Sequence, residues 1–474
     1  MRRLAYLSPV NPAASGISDY SEELLPYLGQ YAEITLYVED GLRPANQLLA
    51  QGLEIRPISR LERDQRRRRY DAILYQIGNS MAHAAIWDAA QRLPGVIVLH
   101  DFVLHHFMLQ YLVTRQRNIG RYRAEAVRRY GDMGARVGEL MLRGRFSEAA
   151  FDMPFCEEVV AAADGLICHS RYIAERVVPM RPDLPFAVVP MGVPLPQPIE
   201  RATVRRLYGL PEDALILASF GHINPYKRVG TMLRVVADLR AEGRNVHYLL
   251  VGSVSPQYDL HSAIERAGLH DCVRATGYVD RAAFEAYLAA ADICINLRHP
   301  TAGETSASLL RLLGAGRPTL VTSTGSFVEL PPAVAAQVDL GSGEVELLCA
   351  YCRYLADHPA FAAAMGAAAR RYVAHEHTLP AAAAGYMHFL AQRYGWDAPQ
   401  IQREPLWQID PPLLSLVAAD ALPAPVQPAV RAVPSGTEAL IATVAGAAAG
   451  LAAGESDTSL LAAAARAIGE LTGE

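Results

Sequence analysis

A chain of 474 residues has room for two or three domains, and one that is 51% hydrophobic and 20% charged has the balance of a globular protein. A formal net charge of −5 speaks against a nucleic-acid binder, whose domains carry basic surfaces. No apolar run reaches the roughly 18 residues of a membrane span, the start Met1-Arg2-Arg3-Leu4 lacks a signal-peptide core, and the six cysteines follow no framework spacing, so a reduced, cytoplasmic setting is expected.

In chain order, a strand is expected at Leu4–Leu7, then a long Pro- and Gly-bearing loop, Ser8 to Asp19, and an amphipathic helix over Tyr20–Leu28. Backbone N–H groups in such a βα loop can face a ligand, which singles out Gly16. Glu33–Val38 reads as a strand and Pro44–Gln51 as a helical stretch. The basic run Arg60–Arg69 is either a solvated face or a surface for anionic lipid headgroups. Strands Asp71–Gln76 and Gly95–Leu99 open into Asn79 and into His100-Asp101. Polar residues at the C-terminal end of a buried parallel strand sit where doubly wound sheets bind ligands. His105 and His106 fall in the next helix.

Val113–Phe146 is helical and rich in Arg, either a lid or acceptor platform or a plain solvated helix pair. A helix at Glu157–Ala163 and a strand at Gly165–Cys168 lead to His169-Ser170, and Phe186–Val189 is a further strand before a stiff Pro194–Pro198 linker. The second half repeats the alternation, with strands at Ala214–Phe220, His247–Val251, Val273–Thr276, Ile293–Asn296, Thr319–Val321 and Ala335–Val338. Strands alternating with helices of this length predict an α/β chain with parallel sheets covered on both faces. Cys349-x-x-Cys352 lies inside a helical pattern and reads as a core-facing pair, while His375-Glu376-His377 lacks a third metal ligand at recognisable spacing. A last helix, Leu379–Tyr394, is followed by a Pro-rich stretch to Ser435 and an Ala-rich one, Thr437–Leu471, with two weak helical patterns.

The stretch Phe220-Gly-His-Ile-Asn-Pro-Tyr-Lys227-Arg228-Val229 is a strand, a tight turn and a helix start, with Lys227 at the turn. A helix N-terminus with a Lys beside it suits a phosphate. Together with Ser15-Gly16-Ile17-Ser18-Asp19-Tyr20-Ser21, Pro300-Thr301-Ala302-Gly303-Glu304-Thr305-Ser306, Leu310-Arg311-Leu312-Leu313, Gly316-Arg317-Pro318, and Gly325 with Glu329, it resembles the motif set of the family 4 retaining glycosyltransferases (glycosyl transferases group 1) over about residues 4 to 395.

That resemblance implies a GT-B fold: an N-terminal Rossmann-like acceptor domain over 1–195, a donor domain over 196–378, a crossing helix over 379–395 packing back on the first domain, and a tail from 396 to 474. It implies an EC 2.4 hexosyltransferase that takes a UDP- or GDP-linked sugar, with no cofactor and no metal, and passes the sugar to a glycan, lipid-linked or small-molecule hydroxyl. His100, Lys227 and Glu304 would be catalytic. Gly16, His222, Asn224, Arg228, Gly303, Thr305, Ser306, Arg311 and Glu329 would hold the donor, with Asn79, Asp101 and His169 on the acceptor side. Contact with the inner face of a membrane through the basic segments is a further expectation.

The chain departs from the family at two positions. His222 stands where the family has an Arg, and a neutral imidazole clamps a diphosphate less well than a guanidinium. Arg311 stands where the family has a ribose-binding Glu, and a guanidinium accepts no hydroxyl proton. The alternatives are a nucleotide-sugar epimerase, which needs cleft carboxylates that the sequence does not identify, and a non-catalytic nucleotide-sugar-binding relative.

Overall fold

The computed structural model describes residues 1 to 409, apart from 146 and 257; the helical patterns expected within Thr437–Leu471 lie outside the described residues. Two compact units emerge. The first comprises Met1–Pro194, Pro300–Ala307 and Glu376–Ile409; the second comprises Leu195–His299 and Ser308–His375.

The first unit is built on seven parallel strands, β1 (Arg2–Leu7), β2 (Ala32–Val38), β3 (Glu54–Pro57), β4 (Ala72–Ile77), β5 (Val96–Leu99), β6 (Gly165–Cys168) and β7 (Phe186–Val188), in the order β3-β2-β1-β4-β5-β6-β7. β4, β5 and β6 are buried along their whole length, which explains their continuous apolar runs. The strand order reverses between β1 and β4, so the chain leaving those two strands opens a crevice at their C-terminal ends. β3 was not foreseen from sequence. It is a half-exposed edge strand whose Arg56 pairs with both Glu54 and Asp64, so lateral ion pairs stand in for an apolar pattern.

Those pairs also account for part of the basic run. Leu61–Arg68 is a helix, Arg68 pairs with Glu54, and Asp64 is buried against Arg56 and the Tyr37 hydroxyl. The helix Ile119–Leu142 is broken at Gly131 and folds back on itself. Gly134 lies against the Ala126 carbonyl, Gly138 faces Tyr122, and Arg123 reaches Glu139, the pairing of an antiparallel hairpin. The His105 ring bonds the Tyr122 hydroxyl at 2.8 Å and the Ala150 carbonyl at 3.0 Å, fixing the hairpin to the core.

The helix Leu379–Tyr394 belongs to this unit, where the Tyr386 hydroxyl meets that of Tyr20, at 3.2 Å, and Arg393 reaches the Asp164 carbonyl. The chain then continues as a strap. Gln402 N–H donates to the Gln30 carbonyl, Arg403 donates to the carbonyls of Gly29 and Ala32, and Leu406 and Trp407 lie over Gly29 and Gly52. Residues 396–409, expected as the start of the tail, are thus part of the first unit.

The second unit has six parallel strands, β8 (Leu215–Phe220), β9 (Val246–Val251), β10 (Val273–Gly277), β11 (Ile293–Asn296), β12 (Thr319–Thr322) and β13 (Ala336–Val338), in the order β10-β9-β8-β11-β12-β13. Its reversal falls between β8 and β11. Cys349 and Cys352 are buried on the helix Glu344–Asp357, and burial pushes the Cys349 thiol up to about 12, as suits core residues. His377 turns its Nδ1 to the Met191 carbonyl at 2.9 Å. Among the described residues no helix is long and apolar enough to cross a membrane.

Candidate functional site

Each unit presents polar side chains at its own switch point, and the two sets differ in kind. In the second unit β8 ends at Phe220 and the chain turns through Gly221–Asn224 into a single 3-10 turn, Pro225–Lys227, before the helix Val229–Ala241. The turn is pinned to the end of β9: Gly221 N–H donates to the Val251 carbonyl at 2.9 Å and Ile223 N–H to the Ser253 carbonyl at 2.7 Å. Gly252 makes this possible, because its φ is +142° and a Cβ there would sit 2.3 Å from the Gly221 carbonyl oxygen. The chain leaving β11 joins the same place, where His299 N–H donates to the Tyr226 carbonyl at 2.8 Å.

Lys227 is buried, and its Nζ donates to the Phe220 carbonyl. Burial, reinforced by the charge of Arg298, holds its ammonium well below the ordinary lysine range. An arriving phosphate would restore the charge, since an anion within hydrogen-bond reach favours the protonated form. Arg228, expected on the diphosphate, instead forms a bidentate pair with Glu344, whose side chain is 3% exposed. It does so from a left-handed backbone conformation, φ 56°, that costs a non-glycine residue about 1–2 kcal/mol. His222 is exposed and bonds the Ser253 hydroxyl at 3.0 Å; partial burial, and then Lys227, lowers its pKa, so it is a neutral side chain at neutral pH. Asn224 leaves its Oδ1 buried without a partner among the described residues. Arg311 lies on the helix Ala307–Gly314, and Glu329 closes the 3-10 turn Gly325–Glu329.

In the first unit, Gly16 starts the helix Gly16–Leu28 behind the capping hydroxyl of Ser15, and a Cβ at Gly16 would meet nothing within 4 Å, leaving open ground beside the backbone. Asn79 and Asp101 act on the local backbone: Asp101 accepts from Asn79 N–H at 2.8 Å, and the Asn79 side-chain oxygen accepts from Phe107 N–H at 2.9 Å. The segment 300–307 also belongs to this unit. Its Ala302 carbonyl accepts from Val103 N–H at 2.9 Å, Thr301 bonds Glu304 at 3.0 Å, and Gly303 has φ +78° with the Tyr172 ring 2.5 Å from where a Cβ would lie. Thr305 Oγ1 is buried without a partner among the described residues, and Ser306 is buried.

His100 and His169 follow β5 and β6 directly, are 4% and 5% exposed, and stand with ring centroids 4.9 Å apart. His100 Nε2 meets the Gln76 side-chain oxygen at 2.7 Å and His169 Nδ1 meets the Val189 carbonyl at 2.8 Å. Tyr20 packs edge-on against both rings. Burial drives both imidazoles below their ordinary pKa, His169 to about 4. Gln76, Tyr20, Tyr386 and Glu344 were not singled out from sequence. Only Gln76 carried a signal there, as a lone polar residue inside the apolar run Ala72–Ile77.

Residues 214–358 match the family model of glycosyl transferases group 1. A D-inositol 3-phosphate glycosyltransferase of Streptomyces avermitilis is 32% identical over 240 residues, 45% of this chain and 49% of that one. A 2-deoxystreptamine glucosyltransferase of Streptomyces kanamyceticus is 27% identical over 205 residues, 43% and 51% of the two chains. The chain therefore spans about half the length of these curated relatives. Among solved structures, a sucrose-phosphate synthase from Thermosynechococcus elongatus superposes with a TM-score of 0.60 at 16% identity, covering 83% of this chain and 100% of that one. Anabaena HepE, solved with UDP and glucose, gives 0.58 at 16%, with 83% and 100% covered. The fold is GT-B, two Rossmann-like domains with parallel sheets, as the sequence resemblance implied.

Proposed function

We propose that the chain is a glycosyltransferase that moves a sugar from a nucleoside-diphosphate sugar to an acceptor hydroxyl, with retention of configuration and without a metal. The observation that carries this reading is Lys227, buried at the switch point of the second unit inside the stretch that matches group 1 glycosyltransferases. Charge grows on the diphosphate as the sugar's anomeric bond breaks, and a preorganised cation beside backbone N–H groups stabilises that charge in the transition state. In the retaining mode, the acceptor oxygen bonds to the anomeric carbon on the face from which the diphosphate leaves. The acceptor's proton passes to a leaving phosphate oxygen, so the products are the glycoside and the free nucleoside diphosphate. UDP is the first nucleotide to test, since HepE was solved with it, and cyclitols are the first acceptors, since several relatives are named for inositol phosphate.

Incubation of the protein with UDP-glucose and a cyclitol panel should yield UDP and a glycoside, and Lys227→Ala should lower the rate of that yield by about 10²–10³ while the melting curve stays cooperative. Turnover equal to wild type in that variant removes the reading. A second reading, a nucleotide-sugar binder without turnover, is favoured by one observation: Arg228 is engaged by Glu344, and His222 is neutral beside it. Tight UDP-glucose binding with neither hydrolysis nor transfer would select that alternative.

A further inference from the structure

The two edges of the first sheet are guarded differently. A strand at the end of a sheet leaves a row of backbone N–H and C=O groups unpaired, and charges along it deter another strand from adding there. β3, at one end, carries Glu54 and Arg56, which are drawn into ion pairs with Arg68 and Asp64. β7, at the other end, reads Phe186-Ala187-Val188 and has no charge along it. Its Phe186 and Val188 are 46% and 37% exposed, and both line a groove shared with Val178 and Pro179 beside the helix Arg171–Val177.

The backbone is open at the same two residues. Val189 N–H donates to the Cys168 carbonyl at 2.8 Å and the Pro185 carbonyl accepts from Leu166 N–H at 2.9 Å, so residues 185, 187 and 189 turn their polar groups toward β6. Successive residues of a strand alternate, and Phe186 and Val188 therefore turn their N–H and C=O outward, where no described strand follows. The open stretch is closed off on both sides: Leu184 N–H is taken by the Arg181 carbonyl at 3.1 Å, and Pro190 has no N–H.

We propose that β7 is the contact between two copies of this chain, which pair antiparallel about a two-fold axis at Ala187 and join their sheets into one. The edge fits itself. With Ala187 on the axis, Phe186 of each copy stands opposite Val188 of the other, and the two residues exchange both backbone hydrogen bonds. The same register sets an exposed aromatic ring against a β-branched side chain on each side of the axis, a favourable cross-strand pair. Charge supplies a further match. Arg171 and Glu175 lie one helical turn apart, both exposed, and both line the groove. A partner has to bring an acid opposite Arg171 and a base opposite Glu175 at that spacing, and a second copy turned about the axis brings both. Pairing uses up the open edge of each copy, and β3 is guarded, so the assembly closes at two.

The test is sedimentation velocity of the full chain over a range of concentrations, with hydrogen exchange read at the Phe186 and Val188 amides. The wild type should sediment as a dimer with both amides protected. Phe186→Lys, at a position already exposed, should raise the dissociation constant about a hundredfold and release the Val188 amide while the melting curve stays cooperative. Arg171→Glu and Glu175→Arg each set like charges face to face in both halves of the contact and should weaken it about tenfold. Mixed together, those two variants should dimerise as the wild type does, because each supplies the charge that the other lacks. A wild type that stays monomeric at every concentration overturns the proposal, as does a dimer that Phe186→Lys leaves intact. Charge variants that gain nothing on mixing overturn it as well.

Discussion

The switch point of the second unit and the ends of β5 and β6 in the first present opposite chemistry on the same scaffold. In the second unit the residues leaving β8 offer backbone N–H groups, a buried lysine and an arginine already committed to a carboxylate. In the first unit those leaving β5 and β6 offer two buried imidazoles whose protonation burial opposes. The C-terminal strand ends of two parallel sheets thus differ in character: one suits negative charge, the other is lined by uncharged rings. A strand order fixes where a ligand sits, and the few residues beyond the strand ends fix what it is.

The contrast breaks most sharply at Lys227. Replacement by Ala or Met should lower the turnover of a nucleotide-sugar substrate by about 10²–10³, the loss typical of removing a preorganised electrostatic group, with little change in denaturation midpoint. A tenfold effect or less, measured as kcat, would leave the anion-binding character of the second unit without its principal group. Next is the Arg228–Glu344 pair. Arg228→Met strands a carboxylate that is 3% exposed, and should cost about 3–5 kcal/mol in urea unfolding. Adding Glu344→Gln should recover most of it. A neutral result for the single variant would show that the pair contributes nothing to the turn.

Gly303→Ala tests the first unit. The positive φ and the Tyr172 ring should together cost about 1–3 kcal/mol, read from the shift in urea midpoint at unchanged m-value. The smallest effect is a pH slope. His83, His105 and His169 are buried with pKa values lowered to about 4, mainly by burial, whereas an unfolded imidazole titrates near about 6.5. Between those values the unfolded chain binds the proton first, so stability should fall as pH drops from about 6.5 to 4, by about 1.4 kcal/mol per pH unit for each histidine. His105→Gln should remove one histidine's share of that slope. An unchanged slope would mean that His105 is not held neutral in the native state.

The sheets were legible because their central strands are buried on both faces and read as largely apolar runs, β5 most clearly. β3 was not, because its stability comes from charges whose partners lie on another element. The same limit applies to the sites. Lys227 stands at a turn that sequence alone marks, whereas Glu344 reads as an exposed first-turn carboxylate and gives no sign that it is buried against a residue 116 positions away. His169 could be singled out by its place after a strand. Its hydrogen bond could not, because the Val189 carbonyl is brought alongside by the pairing of β6 with β7.

The strap over 402–407 has a practical consequence for anyone trimming this protein. Leu406 and Trp407 occupy the space above Gly29 and Gly52, and Arg403 satisfies the carbonyls of Gly29, just past the helix Gly16–Leu28, and of Ala32, at the start of β2. A chain shortened to Gly395, where the helical pattern stops, would leave those carbonyls to water and bare an apolar seat shaped for two side chains. Such a product would be prone to self-association, whereas one ended after Ile409 keeps its own cover.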